Sequence, residues 1–182
     1  MTQTIFSIDK LRTKIGGFPK GNRYNVTFTG LPTGLSTTVN ENLQYLCESV
    51  SLPTKGIASN AHEVYGPPRE IPYRETFTEA ALSFIVDDAF TVKRFFDDRQ
   101  AYIIDHESGN VKYYYNNFVA TINITRLSND AVSFETASDK YEVELREAYP
   151  SAVGEIALGH SQGSEILKLS VTFKYRKWMS LA

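Results

Sequence analysis

The chain has 182 residues with 19 basic and 21 acidic side chains, a formal net charge of −2, so it lacks the large positive footprint that holds nucleic acid. This length is read as one domain, residues 1–182, able to bury roughly 70% of the surface its unfolded form exposes. The single cysteine, Cys47, excludes an internal disulfide and has no Cys or His neighbour at metal-ligand spacing.

Residues 1–22 read as an N-terminal arm, with a short amphipathic turn in "IFSIDKL" and a Gly-Gly-Phe-Pro break. The arm lacks the long apolar core of a signal peptide, and no later run is long enough to span a membrane, so a soluble, cytoplasmic chain is expected. "RYNVTFT" then alternates, with Tyr24, Val26 and Phe28 on one face and Asn25, Thr27 and Thr29 on the other. "LQYLCESV" places Cys47 as an inert, half-buried strand cysteine. The N-x-T triplets at Asn25 and Asn123 fall inside strand-like runs and are read as coincidental.

Residues 54–76 break the rhythm. "TKGIASNAHEVYGPPREIPYRET" holds three prolines, two glycines and little alternation. An excursion this long inside a compact domain is usually functional or disordered. Its aromatic, Arg and Pro content argues for a contact surface. Ile57, Tyr65, Pro67, Pro68, Arg69 and Tyr73 are the residues expected to make it. The arm is expected to be poorly ordered in a free subunit.

Alternation resumes in "ALSFIVD", with Leu82, Phe84 and Val86 inward. "DDAFTVKRFFDDRQAYII" instead carries Val92, Phe95, Phe96 and Ile103 on a helical stripe, predicting one amphipathic helix from Asp88, its N-cap, to about residue 104. The Asp97-Asp98-Arg99 group is expected to lie mostly towards solvent. "KYYYNNF" reads as the start of a strand, and "FVATINIT" puts Phe118, Ala120, Ile122 and Ile124 on one face. After the turn "SND" come Val132 and Phe134, then "KYEVELRE" with Tyr141, Val143 and Leu145 inward and Glu142, Glu144 and Arg146 outward. "EILKLSVTFKYRKW" closes the chain with Leu167, Leu169, Val171, Phe173 and Tyr175 on one face. These are about seven strands, most with one polar side, the pattern of antiparallel sheets.

One stretch raises the possibility of catalysis: "GHSQG", residues 159–163, fits the G-x-S-x-G pattern of a nucleophile elbow around Ser161. Such an elbow needs a helix after the serine and then, in chain order, an acid and a histidine. Here a strand follows, Glu165 is the only acid beyond it, and the three histidines, His62, His106 and His160, all precede it. The stretch reads as a hairpin turn. No metal-ligand spacing, phosphate-cradling loop or dinucleotide fingerprint occurs, so no catalytic, cofactor or metal site is expected.

The C-terminal third, "YEVELREAYPSAVGEIAL…SEILKLSVTFKYRKW", resembles the tail tube proteins of contractile-tailed bacteriophages. The resemblance lies in the Tyr149-Pro150 turn, the short strand with Val153, Ile156 and Leu158, and the closing strand with Val171, Phe173, Tyr175 and Trp178. "GNRYNVTF" resembles the family's opening strand and "CESVSLPTKGI" its second. Residues 54–103 resemble its long hairpin, third strand and helix. The resemblance implies a mainly β fold: an antiparallel β-sandwich or barrel-like domain with one flanking α-helix, related to the type VI secretion tube protein. It implies homohexameric rings whose sheets join into a continuous inner barrel, stacked into a tube that passes DNA without sequence-specific binding. The implied partners are the sheath, the baseplate tube initiator, the tape measure and the tail terminator. The implied location is the virion tail, with assembly in the host cytoplasm. Repeating tube subunit and baseplate initiator of the same fold both fit. A third reading is a secreted hydrolase or toxin-delivery tube component that uses Ser161.

Overall fold

The structure is a computed structural model that describes residues 20–31, 37–63, 65–105, 107–112, 118–127, 141–160 and 166–181. The elements run β1 (Tyr24–Thr29), α1 (Thr37–Leu46), β2 (Cys47–Val50), β3 (Lys55–His62), β4 (Arg69–Phe77), β5 (Ala80–Ile85) and α2 (Thr91–Ile103). They continue as β6 (Ala120–Arg126), β7 (Tyr141–Val153), β8 (Lys168–Lys174) and β9 (Lys177–Leu181). The protein is mainly antiparallel β. β1, β6, β7, β8, β5 and β2 lie side by side in that order, with β9 also on β7, and β3 and β4 form a separate two-stranded ribbon.

Period-two burial explains the large sheet. Val26 and Phe28 of β1, Leu82 and Phe84 of β5, Ala120, Ile122 and Ile124 of β6, and Leu169, Val171 and Phe173 of β8 all face one core. Phe84, Phe96 and Phe173 form its aromatic centre, the Phe96 ring lying 5.3 Å from Phe84 and 5.8 Å from Phe173. Such tilted ring pairs add to the burial of large apolar surfaces. α2 supplies Phe96 through the expected stripe, since Val92, Phe95, Phe96 and Ile103 are all buried.

β7 is the corner of the fold. Its first half pairs β6 on one side and β9 on the other, and its second half pairs β8. β8 and β9 therefore run along β7 as one interrupted strand, from Val153↔Val171 through Arg146↔Lys177 to Glu142↔Leu181. The interruption faces Glu147, which adopts a left-handed φ of 59°. A ladder register shift lies at this point, and such bulges bend strands sharply.

Four expectations are corrected. The fold has a second helix, α1, where only α2 was expected as the flanking helix. α2 begins at Thr91 and its N-cap is Phe90, in a left-handed conformation, rather than Asp88; the Asp87 carboxylate, just before it, accepts from the Thr91 N–H at 2.8 Å and from the Thr91 hydroxyl. The Thr91 hydroxyl bond holds the Asp87 carboxyl below its usual range. Arg99 is fully buried, not solvated. Tyr141, the first residue of β7, is exposed. The expected Val132 and Phe134 strand and nearly all of the N-terminal arm lie outside the described residues.

Candidate assembly surfaces

Residues 54–76 form the β3–β4 hairpin, paired from Lys55↔Phe77 to His62↔Arg69. Both strands are exposed along almost their whole length; only Ala58 and Phe77 are half-buried. The ribbon is tied down at its base. There the Thr54 and Thr78 hydroxyls share a 2.8 Å hydrogen bond, and the Phe77 ring lies 6.1 Å from Tyr175. A lone two-stranded ribbon is marginal in water, which makes this one a candidate contact surface.

The predicted contact residues all fall on this hairpin. Tyr65, at the turn, is 98% exposed, and Ile57 and Tyr73 are 69% and 61% exposed. Pro67 and Pro68 lead into β4 and are also exposed. They do not form a single patch. Opposed residues of an antiparallel ladder share a face, which puts Ile57, opposite Glu75, and Arg69, opposite His62, on opposite faces. Sequence reasoning missed Ile71, exposed on the Arg69 face, and the alternating charges of β4.

The second candidate surface is the set of open sheet edges. β1 pairs only β6, β2 only β5, and β9 only β7 among the described residues. An unpaired edge offers a row of backbone donors and acceptors to another strand. β1 and β2 border an open cleft of about 840 Å³, lined by Tyr45, Leu52 and Ile124 among others. Tyr24 reaches across it, its hydroxyl donating to the Cys47 carbonyl at 3.1 Å and to that of Glu48.

Catalytic chemistry finds little footing in the described residues. Ser161 lies outside them, and the adjoining Gly159 and His160 are exposed. Cys47 is buried, and burial pushes its thiol up to about 12. A thiol this hard to ionise is an inert one. Three cations of the large sheet are ion-paired: Lys168 with Glu48 at 2.5 Å, Arg146 with Glu144 at 2.8 Å and Arg176 with Glu147 at 2.7 Å. No three His, Cys, Asp or Glu side chains of the described residues converge as a metal site.

Residues 19–181 match a family model described as phage tail tube protein. No curated protein matches. Among solved structures, a chain of the extracellular contractile injection system PVC sheath/tube terminator superposes with a TM-score of 0.62 at 14% identity, covering 91% of this chain and 99% of that one. A chain of the anti-feeding prophage baseplate gives 0.60 at 15%, covering 91% and 97%. A chain of the PVC sheath-tube complex gives 0.59 at 12%, covering 97% and 99%. At these identities the likeness is one of fold, and the family rests on the model match along nearly the whole chain. The protein belongs to the phage tail tube protein family.

Proposed function

We propose that this protein is the repeating subunit of a tail tube, in which hexameric rings stack into a hollow conduit that conducts DNA. The observation that carries the reading is the pairing of open sheet edges with a projecting, two-faced hairpin in one small chain. Open edges are an aggregation hazard unless they are covered, and closing a ring covers them with neighbouring copies. The hairpin, solvated on both sides, then serves as the arm that meets a neighbouring subunit or ring through Ile57, Tyr65, Pro67, Pro68, Arg69 and Tyr73.

The similar folds come from a sheath/tube terminator, a sheath-tube complex and a baseplate, which supports a place in a tube-and-sheath particle. Expected partners are the sheath, the baseplate initiator, the tape measure and the terminator. The polar sheet face, rich in Ser, Thr and Asn and with Lys168, Arg146 and Arg176 held in ion pairs, suits passage of a polyanion with little adhesion.

Negative-stain imaging with light scattering over a concentration series tests the proposal. Stacked rings of indefinite length are expected. Isolated rings that never stack would favour the baseplate initiator, and a strictly monomeric chain, even when seeded by a tube-initiating complex, would overturn the tube.

A further inference from the structure

The β3–β4 hairpin segregates charge by face. On one face stand Glu70, opposite Ala61, and Glu75, opposite Ile57, with Lys55 as the single cation. On the other stand Arg69, opposite His62, and Arg74, opposite Ala58, with no carboxylate. Side-chain contacts agree with this sorting. The Lys55 ammonium lies 2.6 Å from Glu75, and the Ser59 hydroxyl donates to Glu70 at 2.6 Å, all on the acidic face. Arg74 lies over the Tyr73 ring at 5.6 Å, and neither Arg69 nor Arg74 makes an ion pair among the described residues.

The sorting depends on a bulge. Between Ala58 and Ser59 the register shifts, so that Arg74 opposes Ala58 while Pro72 opposes Ser59, and Tyr73 is the extra residue. An unbroken β4 would place Arg69 with Glu75 on one face and Glu70 with Arg74 on the other. The inserted residue reverses the alternation and collects like charges together.

We propose that the acidic face of one copy's hairpin docks on the basic face of the hairpin of a second copy. This deepens the assembly reading above, from which it takes the second copy as partner. Like faces repel, which excludes a twofold pair with acidic face on acidic face or basic on basic. Opposite faces attract, and each docking leaves one acidic and one basic face free, so the contact is head-to-tail and propagates. Ribbons stacked in full register would stand about 10 Å apart, too close for the bodies they carry. The strands are about 30 Å long, so the overlap is staggered, the tip of one hairpin with Glu70 lying over the middle of the next, where Arg74 opposes Ala58.

Charge reversal tests this. E70K/E75K makes both faces basic, and R69E/R74E makes both acidic. Each variant alone should fold, by circular dichroism, and raise the concentration needed for assembly by about tenfold or more. Mixed one to one, the two should co-assemble in alternation, and the quadruple variant should assemble alone. If the single-face variants assemble like the unchanged chain, or the mixture fails while the unchanged chain assembles, the hairpin contact is wrong and rings remain. Rescue in the mixture that ends in open oligomers supports the contact and removes the ring. An unchanged chain that stays monomeric by sedimentation at every concentration removes both.

Discussion

The Tyr24 hydroxyl on β1 donates to the Cys47 carbonyl on β2 at 3.1 Å, joining the two terminal strands of the seven-stranded sheet by a side chain rather than a ladder. The sheet thus curls until its ends are within reach of each other without closing backbone to backbone. Tyr24→Phe keeps the ring and removes the bridge. A loss of about 1 kcal/mol is expected, the usual worth of one such bond, with faster amide exchange in β2 than elsewhere. Unchanged exchange in β2 would mean that α1, not Tyr24, holds the two ends together.

The same pair gives the fold an alkaline limit. Burial raises the Tyr24 phenol and pushes the Cys47 thiol from 9.0 up to about 12. Both are acids whose folded value is raised. Their contribution is intact below the unfolded value and is lost as pH rises through the window towards the folded one. Above pH 9 the unfolded thiol ionises while the buried one does not, and stability should fall by about 1.4 kcal/mol per pH unit for that proton. The range from 9 to 10 is the one to measure, because burial brings Arg99 down to about 10 and it acts in the opposite sense beyond. Cys47→Ala should flatten the urea-midpoint profile there; an equally steep profile would assign the slope to other groups.

Arg99 is 0% exposed, and its one hydrogen bond among the described residues is a long one, from Nη2 to the Ala148 carbonyl at 3.4 Å. Nε and Nη1 have no partner among the described residues. A buried charge without a counter-charge costs more in lost hydration than it returns. Arg99→Met, similar in volume and apolar, should therefore raise the unfolding free energy of the isolated subunit by about 1–4 kcal/mol. A loss of stability by denaturant titration would show that the guanidinium has a partner which only the folded chain in solution provides.

How much of this was legible depends on which faces are buried. β1, β5, β6 and β8 each bury one side, so their alternation was written in the sequence, as Leu82 and Phe84 or Ile122 and Ile124 show. α1, "TTVNENLQYL", was not legible, since its first three residues are β-branched and Leu43 is its one fully buried residue among those described. The β3–β4 hairpin showed no period because neither face is buried; the resemblance to tail tube proteins, not periodicity, pointed to a hairpin. Arg99 sits at the 92, 95, 96, 99, 103 spacing of the apolar stripe, and its residue type masked a positional signal that was present. The charge sorting of β4 could not be read at all, because it turns on a bulge that alternation does not reveal.

Ser161→Ala should leave folding and assembly unchanged. The serine follows exposed Gly159 and His160, the next described element is strand β8 rather than a helix, and no histidine follows it in the chain. Fluorophosphonate probes should not label the native protein. Labelling that this substitution abolishes would restore the hydrolase reading.

Deleting residues 58–70 removes most of the hairpin and little of the core. Of the thirteen residues removed, none among those described is fully buried, whereas the body keeps the Phe84, Phe96 and Phe173 cluster intact. The far-ultraviolet spectrum and melting temperature should therefore stay close to those of the full chain, while tube growth is lost. Ordering the hairpin costs roughly 1–2 kcal/mol per backbone residue fixed, and a ribbon with both faces in water recovers little of that alone. In the proposed tube a neighbouring copy supplies the remainder, so a free subunit should grow slowly until a template presents the matching surface. Hydrogen exchange should find β3 and β4 unprotected in the subunit and protected in the tube. Equal protection in both states, or normal growth of the deletion variant, would reduce the hairpin to a surface loop and leave the edges of β1, β2 and β9 to build the ring.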